Sequence, residues 1–202
     1  MQAAEIELKF PVSDPDALQN RLPQLGFQLV TTRTFEQNTL YDTAARDLRA
    51  RREILRIRQY GHLCTVTHKR MPDKQDGDDT RYKVRIETET IVAEGTALAE
   101  IFHRMGYEPA FTYEKYRSEW ACPLESGGMA HLVLDETPIG NYAELEGPTD
   151  WIDRTLALLN ISPGTCMTDS YGKLFLDWKQ LTGSPAENLT FGEIGSPVLF
   201  SR

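Results

Sequence analysis

The chain has 202 residues, 40% of them hydrophobic, which suits one compact domain with a real core and is short for two. Its 30 acidic and 22 basic residues leave a net charge of −8. That excludes a general binder of nucleic acid or anionic membrane, either of which needs a basic footprint.

Met1 is followed by Gln-Ala-Ala-Glu, so no signal peptide is expected. Glu5 to Phe10 alternates charged and apolar side chains and reads as a strand. Ser13 or Asp14 caps a helix from Pro15 to Leu25, stopped by Gly26. An extended stretch covers Phe27 to Asp42, and Ala44 to Arg52 is a polar connection. Ile54 to Tyr60 and His62 to Arg70 form a hairpin around Gly61. Met71 to Thr80, rich in Asp, Gly and Pro, is an exposed loop. Arg81 to Thr90 alternates again, and a helix from Ala93 to Met105 ends at Gly106. Strands follow at Tyr107 to Trp120, Ala130 to Asp135 and Tyr142 to Glu146. Pro148 opens a helix running to Asn160, and a last helix covers Thr168 to Leu181. We expect a single domain over residues 1–182 and a loosely held C-terminal tail over 183–202, where Gly, Pro, Ser and Asn concentrate. No apolar run approaches the ~20 residues of a membrane span. Cys64, Cys122 and Cys166 are far apart, with no Cys-x-x-Cys pair, and read as reduced thiols of a cytoplasmic protein.

A charged strand followed by a helix occurs three times, after Glu5–Lys9, Arg85–Glu89 and Glu144–Glu146. This is either a degenerate repeat or the ordinary grammar of an α+β protein. A basic block also stands out in the acidic chain. Arg46, Arg49, Arg51, Arg52, Arg56, Arg58, Lys69, Arg70 and Lys74 are opposed between Ala44 and Lys74 only by Asp47, Glu53 and Asp73. It points to a local anion site.

Alternate residues of a strand share a face. Glu5, Glu7 and Lys9 are therefore grouped, as are Arg56 with Arg58 and Thr65, Thr67 with Lys69. Arg81, Lys83, Arg85, Glu87 and Glu89 form another group, followed by Lys115 with Arg117 and Glu144 with Glu146. On one strand this pattern describes a solvated face. Repeated on six strands, it places side by side carboxylates that repel unless a cation lies between them, and arginines that invite a shared polyanion. Paired carboxylates suit Mg²⁺ or Mn²⁺, and arginine forks suit phosphate oxygens. For these faces to converge the sheet must curl with its charged side inward, giving a barrel with a polar lumen and an apolar jacket of helices. Leu8, Ile57, Val66, Ile86, Leu145, Leu156 and Leu174 would form that jacket, with Trp120, Trp151 and Trp178 packed in it.

Glu5-x-Glu7-x-Lys9 resembles the signature of the CYTH superfamily, the triphosphate tunnel metalloenzymes. Further landmarks follow in the family's order: Tyr41-Asp42-Thr43, Leu55-Arg56-Ile57-Arg58, Thr67-x-Lys69, Arg85-x-Glu87-x-Glu89, Lys115-x-Arg117, Leu134-Asp135, Glu144-x-Glu146-Gly147 and Ser170-Tyr171-x-Lys173-Leu174. The resemblance spans roughly Ala4 to Leu176 and implies an α+β fold, an eight-stranded antiparallel β-barrel with a charged lumen, jacketed by helices. It implies divalent metal, Mg²⁺ or Mn²⁺, on Glu5, Glu7, Asp135, Glu144 and Glu146. The triphosphate would lie on Lys9, Arg56, Arg58, Lys69, Arg85, Arg117 and Lys173. Glu5, Glu7 and Lys9 are the expected catalytic residues, supported by Glu87, Glu89 and Lys115. One position departs: where thiamine triphosphatases carry a tyrosine before the Tyr-Asp-Thr segment, this chain has Leu40, which cannot move a proton.

The expected function is metal-dependent hydrolysis of an inorganic or nucleoside triphosphate. The alternatives are a class IV adenylate cyclase, with Tyr60, His62, His68 and Tyr113 as candidates near the adenosine, and a non-catalytic polyphosphate- or nucleotide-binding module. The expected partner is the small-molecule substrate, with no nucleic acid or membrane and with room for a homodimer.

Overall fold

The computed structural model describes residues 2–72 and 81–195. Residues 73–80 of the expected exposed loop lie outside the described residues. Eight strands occur in the order β1 (Gln2–Pro11), β2 (Gln28–Asp42), β3 (Ile54–Tyr60), β4 (Leu63–Arg70), β5 (Lys83–Ile91), β6 (Glu108–Pro123), β7 (Met129–Thr137) and β8 (Gly140–Glu146). They pair antiparallel and close into a barrel in the order β1-β5-β4-β3-β2-β6-β7-β8. Closure gives each of these strands a partner on both sides. The helices are α1 (Pro15–Arg21), α2 (Asp47–Ala50), α3 (Gly95–Arg104), α4 (Thr149–Leu159), α5 (Tyr171–Thr182) and α6 (Phe191–Ile194). None among the described residues is long and apolar enough to cross a membrane.

The connectivity makes the repeat concrete. β1-α1-β2-β3-β4 and β5-α3-β6-β7-β8 trace equivalent paths, each closed by the first strand of the other half. α1 with its following 3₁₀ turn, α3 and α4 all end on a residue with positive φ: Gly26 at 85°, Gly106 at 86° and Asn160 at 57°. That is the left-handed stop glycine and asparagine supply most cheaply.

The barrel is polar inside and apolar outside. Leu8 and Phe10 of β1, Leu132 and Leu134 of β7 and Leu145 of β8 point outward. They bury against Leu18 of α1 and Ile152, Leu156 and Leu159 of α4. Each fully buried aliphatic side chain contributes roughly 1.5–3 kcal/mol. Trp120 and Trp151 belong to this cluster, and Trp178 packs beside a second one under α5. Ile57, Val66 and Ile86 are only half-buried. Coverage of β3 comes from α3, which approaches so closely that a Cβ on Gly95 would lie 2.7 Å from the Cys64 Sγ.

Two segments differ from the sequence expectation. The polar connection contains α2, because the Asp42 carboxylate accepts the amides of Leu48 (2.9 Å) and Arg49 (3.1 Å) and so caps the turn. The stretch after Gly183 is not loose in its described part. Leu189 is fully buried and bridges to Tyr113 of β6. The side chain of Asn188 accepts the Thr112 amide at 2.9 Å, and Glu193 accepts the amides of Glu187 and Asn188. Side chains thus satisfy the backbone that composition alone leaves as coil.

Candidate active site

The strand parity delivers the charged faces to one cavity of about 120 Å³ inside the barrel. Its acidic lining is Glu5, Glu7, Glu144 and Glu146, and its basic lining is Lys9, Arg56, Arg58, Lys69, Lys83, Lys115 and Arg117. Leu40, Ile54, Tyr113 and the Ser170–Gly172 segment at the start of α5 complete the wall.

Glu5, Glu7 and Glu146 bring one carboxylate oxygen each within 4.8 Å of one another. Glu5 receives Lys69 at 2.6 Å and Glu7 receives Lys83. Glu146 has no ion pair among the described residues. Burial, reinforced by Glu5, Glu144 and Glu7 against the pull of Arg117, pushes its carboxyl up to about 8. An oxygen-only cluster whose third member lacks compensating positive charge fits a hard divalent cation.

Glu144 is held differently. Burial pushes its carboxyl up, but Lys9, Arg117, Lys115 and Lys83 outweigh that and hold it well below the usual carboxylate range. Lys9 is 3.0 Å from Glu144, donates to the Asp169 carbonyl at 2.8 Å and lies over the Tyr171 ring. Asp135 is fully buried and saturated. It accepts two bonds from Arg117 and one each from Lys115 at 2.8 Å and the Tyr171 hydroxyl at 2.6 Å. It sets the direction of the cations that line the cavity but does not line it.

On the opposite wall, Arg56 donates to Thr67 at 3.0 Å, and Thr67 donates to Glu89 at 2.6 Å. Glu87 lies 2.9 Å from Lys69. Glu87 and Glu89 therefore orient cations. The Tyr113 hydroxyl sits 3.4 Å from Arg56, and its pKa falls because Arg56 and Lys115 outweigh burial.

The structure does not bring every expected residue to the cavity. Lys173 is exposed on α5, where its ammonium pairs with Asp177 one turn on. Arg85 shares the inward face of β5 but contacts Met71 and does not line the cavity. His68 pairs with Glu53 at 3.5 Å, His62 is exposed, and neither lines it. The alternation Arg81-x-Lys83-x-Arg85 grouped Lys83 with a charged face, but the resemblance did not assign it to the substrate; it lines the cavity beside Glu7. Sequence reasoning passed over Glu36, fully buried 3.4 Å from Lys115 and 3.6 Å from Arg58. Burial pushes that carboxyl up, yet Lys115, Arg117 and Arg58 hold it well below the usual range. A single acid within a mixed polar strand gave no sign of this.

Fold and cavity define the class: a closed antiparallel barrel whose interior is an array of opposed charges. The chain belongs to the CYTH family, whose CYTH domain matches residues 3–161. A protein of Methanocaldococcus jannaschii provisionally named an adenylate cyclase is 24% identical over 176 residues, covering 84% of this chain and 97% of that one. Among solved structures, the PH1819 protein of Pyrococcus horikoshii superposes with a TM-score of 0.67 at 22% identity, covering 86% of this chain and 99% of that one. A Hippeastrum protein, HpAC1, provisionally an adenylyl cyclase and described as having a dominant triphosphatase activity, gives a TM-score of 0.56 at 18% identity, with coverages of 88% and 96%. At these identities the structural likeness establishes the shared fold.

Proposed function

We propose that this protein hydrolyses a triphosphate, inorganic or nucleoside-linked, inside the barrel. The observation that carries the reading is the convergence of seven lysines and arginines on one cavity that also holds the cluster of Glu5, Glu7 and Glu146. A triphosphate carries the charge density such a wall compensates, and arginine forks and lysines fit its oxygens. Glu5, Glu7 and Glu146 would hold Mg²⁺ or Mn²⁺, which when bound supplies positive charge to phosphate oxygens.

Hydrolysis forms a bond from a water oxygen to the terminal phosphorus and breaks that phosphorus's bond to the bridging oxygen. The water protons leave with the two products. The protein's part is positioning and charge compensation, which contribute most of the rate in phosphoryl transfer. Arg56, Arg58 and Arg117 fix the register of the chain, and Lys9, Lys69, Lys83 and Lys115 offset charge along it. Carboxylates fix these cations within the barrel, Lys69 by Glu5 and Glu87, Lys83 by Glu7 and Arg117 by Asp135, which sets the directions in which they point.

ATP cyclisation is the second reading, supported by the name of the archaeal relative and by Tyr113 and Tyr171, the two aromatic rings on the cavity wall. The test incubates protein with ATP or inorganic tripolyphosphate, with Mg²⁺ or Mn²⁺, and separates the products by chromatography. Orthophosphate with ADP, or orthophosphate with pyrophosphate, is the expected result. Cyclic AMP with pyrophosphate would replace hydrolysis by cyclisation, and no product from either substrate would leave only the binding module.

A further inference from the structure

At its end the ring of cations gives way to carboxylates and a phenol on the inward face of the barrel. On β3 the lining runs Ile54, Arg56, Arg58 and stops, and the next inward-facing residue is Tyr60. On β6 it runs Tyr113, Lys115, Arg117 and stops, and the next is Glu119. β2 lies between these strands and places Glu36 opposite both Tyr60 and Lys115. β7 contributes Val133, opposite Glu119.

These groups are held in place. Glu36 is fully buried, and its Oε1 accepts from Asn38 Nδ2 at 2.8 Å. Its Oε2 has no hydrogen-bond partner among the described residues, with Arg117 Nε 3.9 Å away. Glu119 accepts from the Thr31 hydroxyl at 3.2 Å. Burial raises the Tyr60 hydroxyl well above its usual range, with Glu119 and Glu36 adding to that rise and Arg117 opposing it.

We propose that Glu36 and Glu119, flanking Tyr60, form an anionic stop that limits how many phosphates the tunnel holds and so selects for a chain of three. The proposal rests on the reading that the cavity takes a triphosphate, and it assigns the residues that set chain length. Glu36, 3.4–3.9 Å from Lys115, Arg58 and Arg117, closes the ring of cations, and a phosphate advancing beyond it meets Glu119 in an interior of low dielectric, where like charges repel strongly. Discrimination by a repulsive element needs no contact with the preferred ligand. Glu36 also compensates Lys115 and Arg58 without lining the cavity.

The test is calorimetric titration with tripolyphosphate and tetrapolyphosphate, in EDTA, for wild type, Glu119→Gln and Glu36→Gln/Glu119→Gln. Wild type is expected to bind tripolyphosphate at least about threefold tighter than tetrapolyphosphate, because the fourth phosphate meets carboxylates and no cation. The double variant is expected to bind the longer chain at least about tenfold tighter than the shorter, and half-exposed Glu119→Gln to move the same way by less. Glu119→Gln keeps the test readable if the double variant does not fold. An unchanged ratio in the folded variants overturns the stop, as does a wild type that already prefers the longer chain tenfold. If wild type binds tripolyphosphate with the expected ratios but turns nothing over with Mg²⁺ or Mn²⁺, the stop stands and hydrolysis fails. If it binds neither chain, both readings fall.

Discussion

Arg117 holds Asp135 through two parallel hydrogen bonds, Nε to Oδ1 and Nη2 to Oδ2, both at 2.7 Å, in a part of the barrel where Asp135 is fully buried. Lys115 and the Tyr171 hydroxyl complete the same carboxylate. Removing one partner of a buried charge network leaves the others uncompensated, which typically costs about 3–5 kcal/mol. Asp135→Asn is therefore expected to lower unfolding free energy by that order in metal-free buffer, measured by urea denaturation. If Asp135 served only to hold metal, metal-free stability would not change and the orienting role would be lost.

The two lysines that the sequence and the cavity rank differently give a paired prediction. Lys83 lines the cavity beside Glu7, whereas Lys173 pairs with Asp177 on the outside of α5. A hydrogen bond to a charged group is worth about 1.5–3 kcal/mol, so Lys83→Ala should raise KM for the triphosphate roughly 10- to 100-fold. Lys173→Ala should leave kcat/KM within about twofold, as a surface ion pair contributes little. Steady-state kinetics of the two variants decide it, and the reverse ranking would return Lys173 to the substrate set.

The barrel was legible because period-two alternation is strong and was repeated on strand after strand. Glu5, Glu7 and Lys9 on β1 and Glu144 and Glu146 on β8 share the inward face that their spacing implies. What parity cannot supply is depth along the strand and the partner across it. The resemblance implied metal on Asp135 and Glu146 alike, yet Asp135 is saturated by Arg117, Lys115 and Tyr171 while Glu146 is left without an ion pair among the described residues. Lys173 falls on a helix, where spacing from Tyr171 places it on a different face, and the motif position alone did not show this. Glu36 was hidden because its role depends on Lys115 and Arg58, which lie far away in sequence and meet it only through the β2–β3 and β2–β6 pairings.

Glu7 belongs to the oxygen cluster and takes no part in the outward apolar packing of β1. Glu7→Ala is expected to lower kcat by about 10²-fold or more, the scale on which loss of one preorganised electrostatic group acts. Metal should also stabilise wild type. Saturation at 100 times Kd adds about 2.7 kcal/mol, which for a chain of this size raises Tm by roughly 5–10 °C. Differential scanning fluorimetry with Mn²⁺ or Mg²⁺ should show that rise in wild type and its loss in Glu7→Ala. A full rise in the variant would move the metal away from this cluster.

Asp42 supplies the pH prediction. Its carboxylate accepts the amides of Thr43 (2.8 Å), Leu48 (2.9 Å) and Arg49 (3.1 Å). Burial pushes the group up, but these three bonds and Arg46 outweigh it and hold its pKa below the ordinary 3.8. A carboxyl depressed on folding adds stability that is complete above its unfolded pKa and fades as pH falls through the folded one. At pH 7 Asp42→Asn should cost about 0.5–2 kcal/mol, the range for removing a helix-capping acceptor. The gap between variant and wild type should hold down to about pH 5 and narrow below the unfolded value near 4, as wild-type Asp42 takes up a proton and loses the same acceptor. Urea unfolding of both proteins at stepped pH values measures the gap directly. A gap that stays constant down to the lowest pH at which both fold would mean that α2 is held by something other than the Asp42 charge.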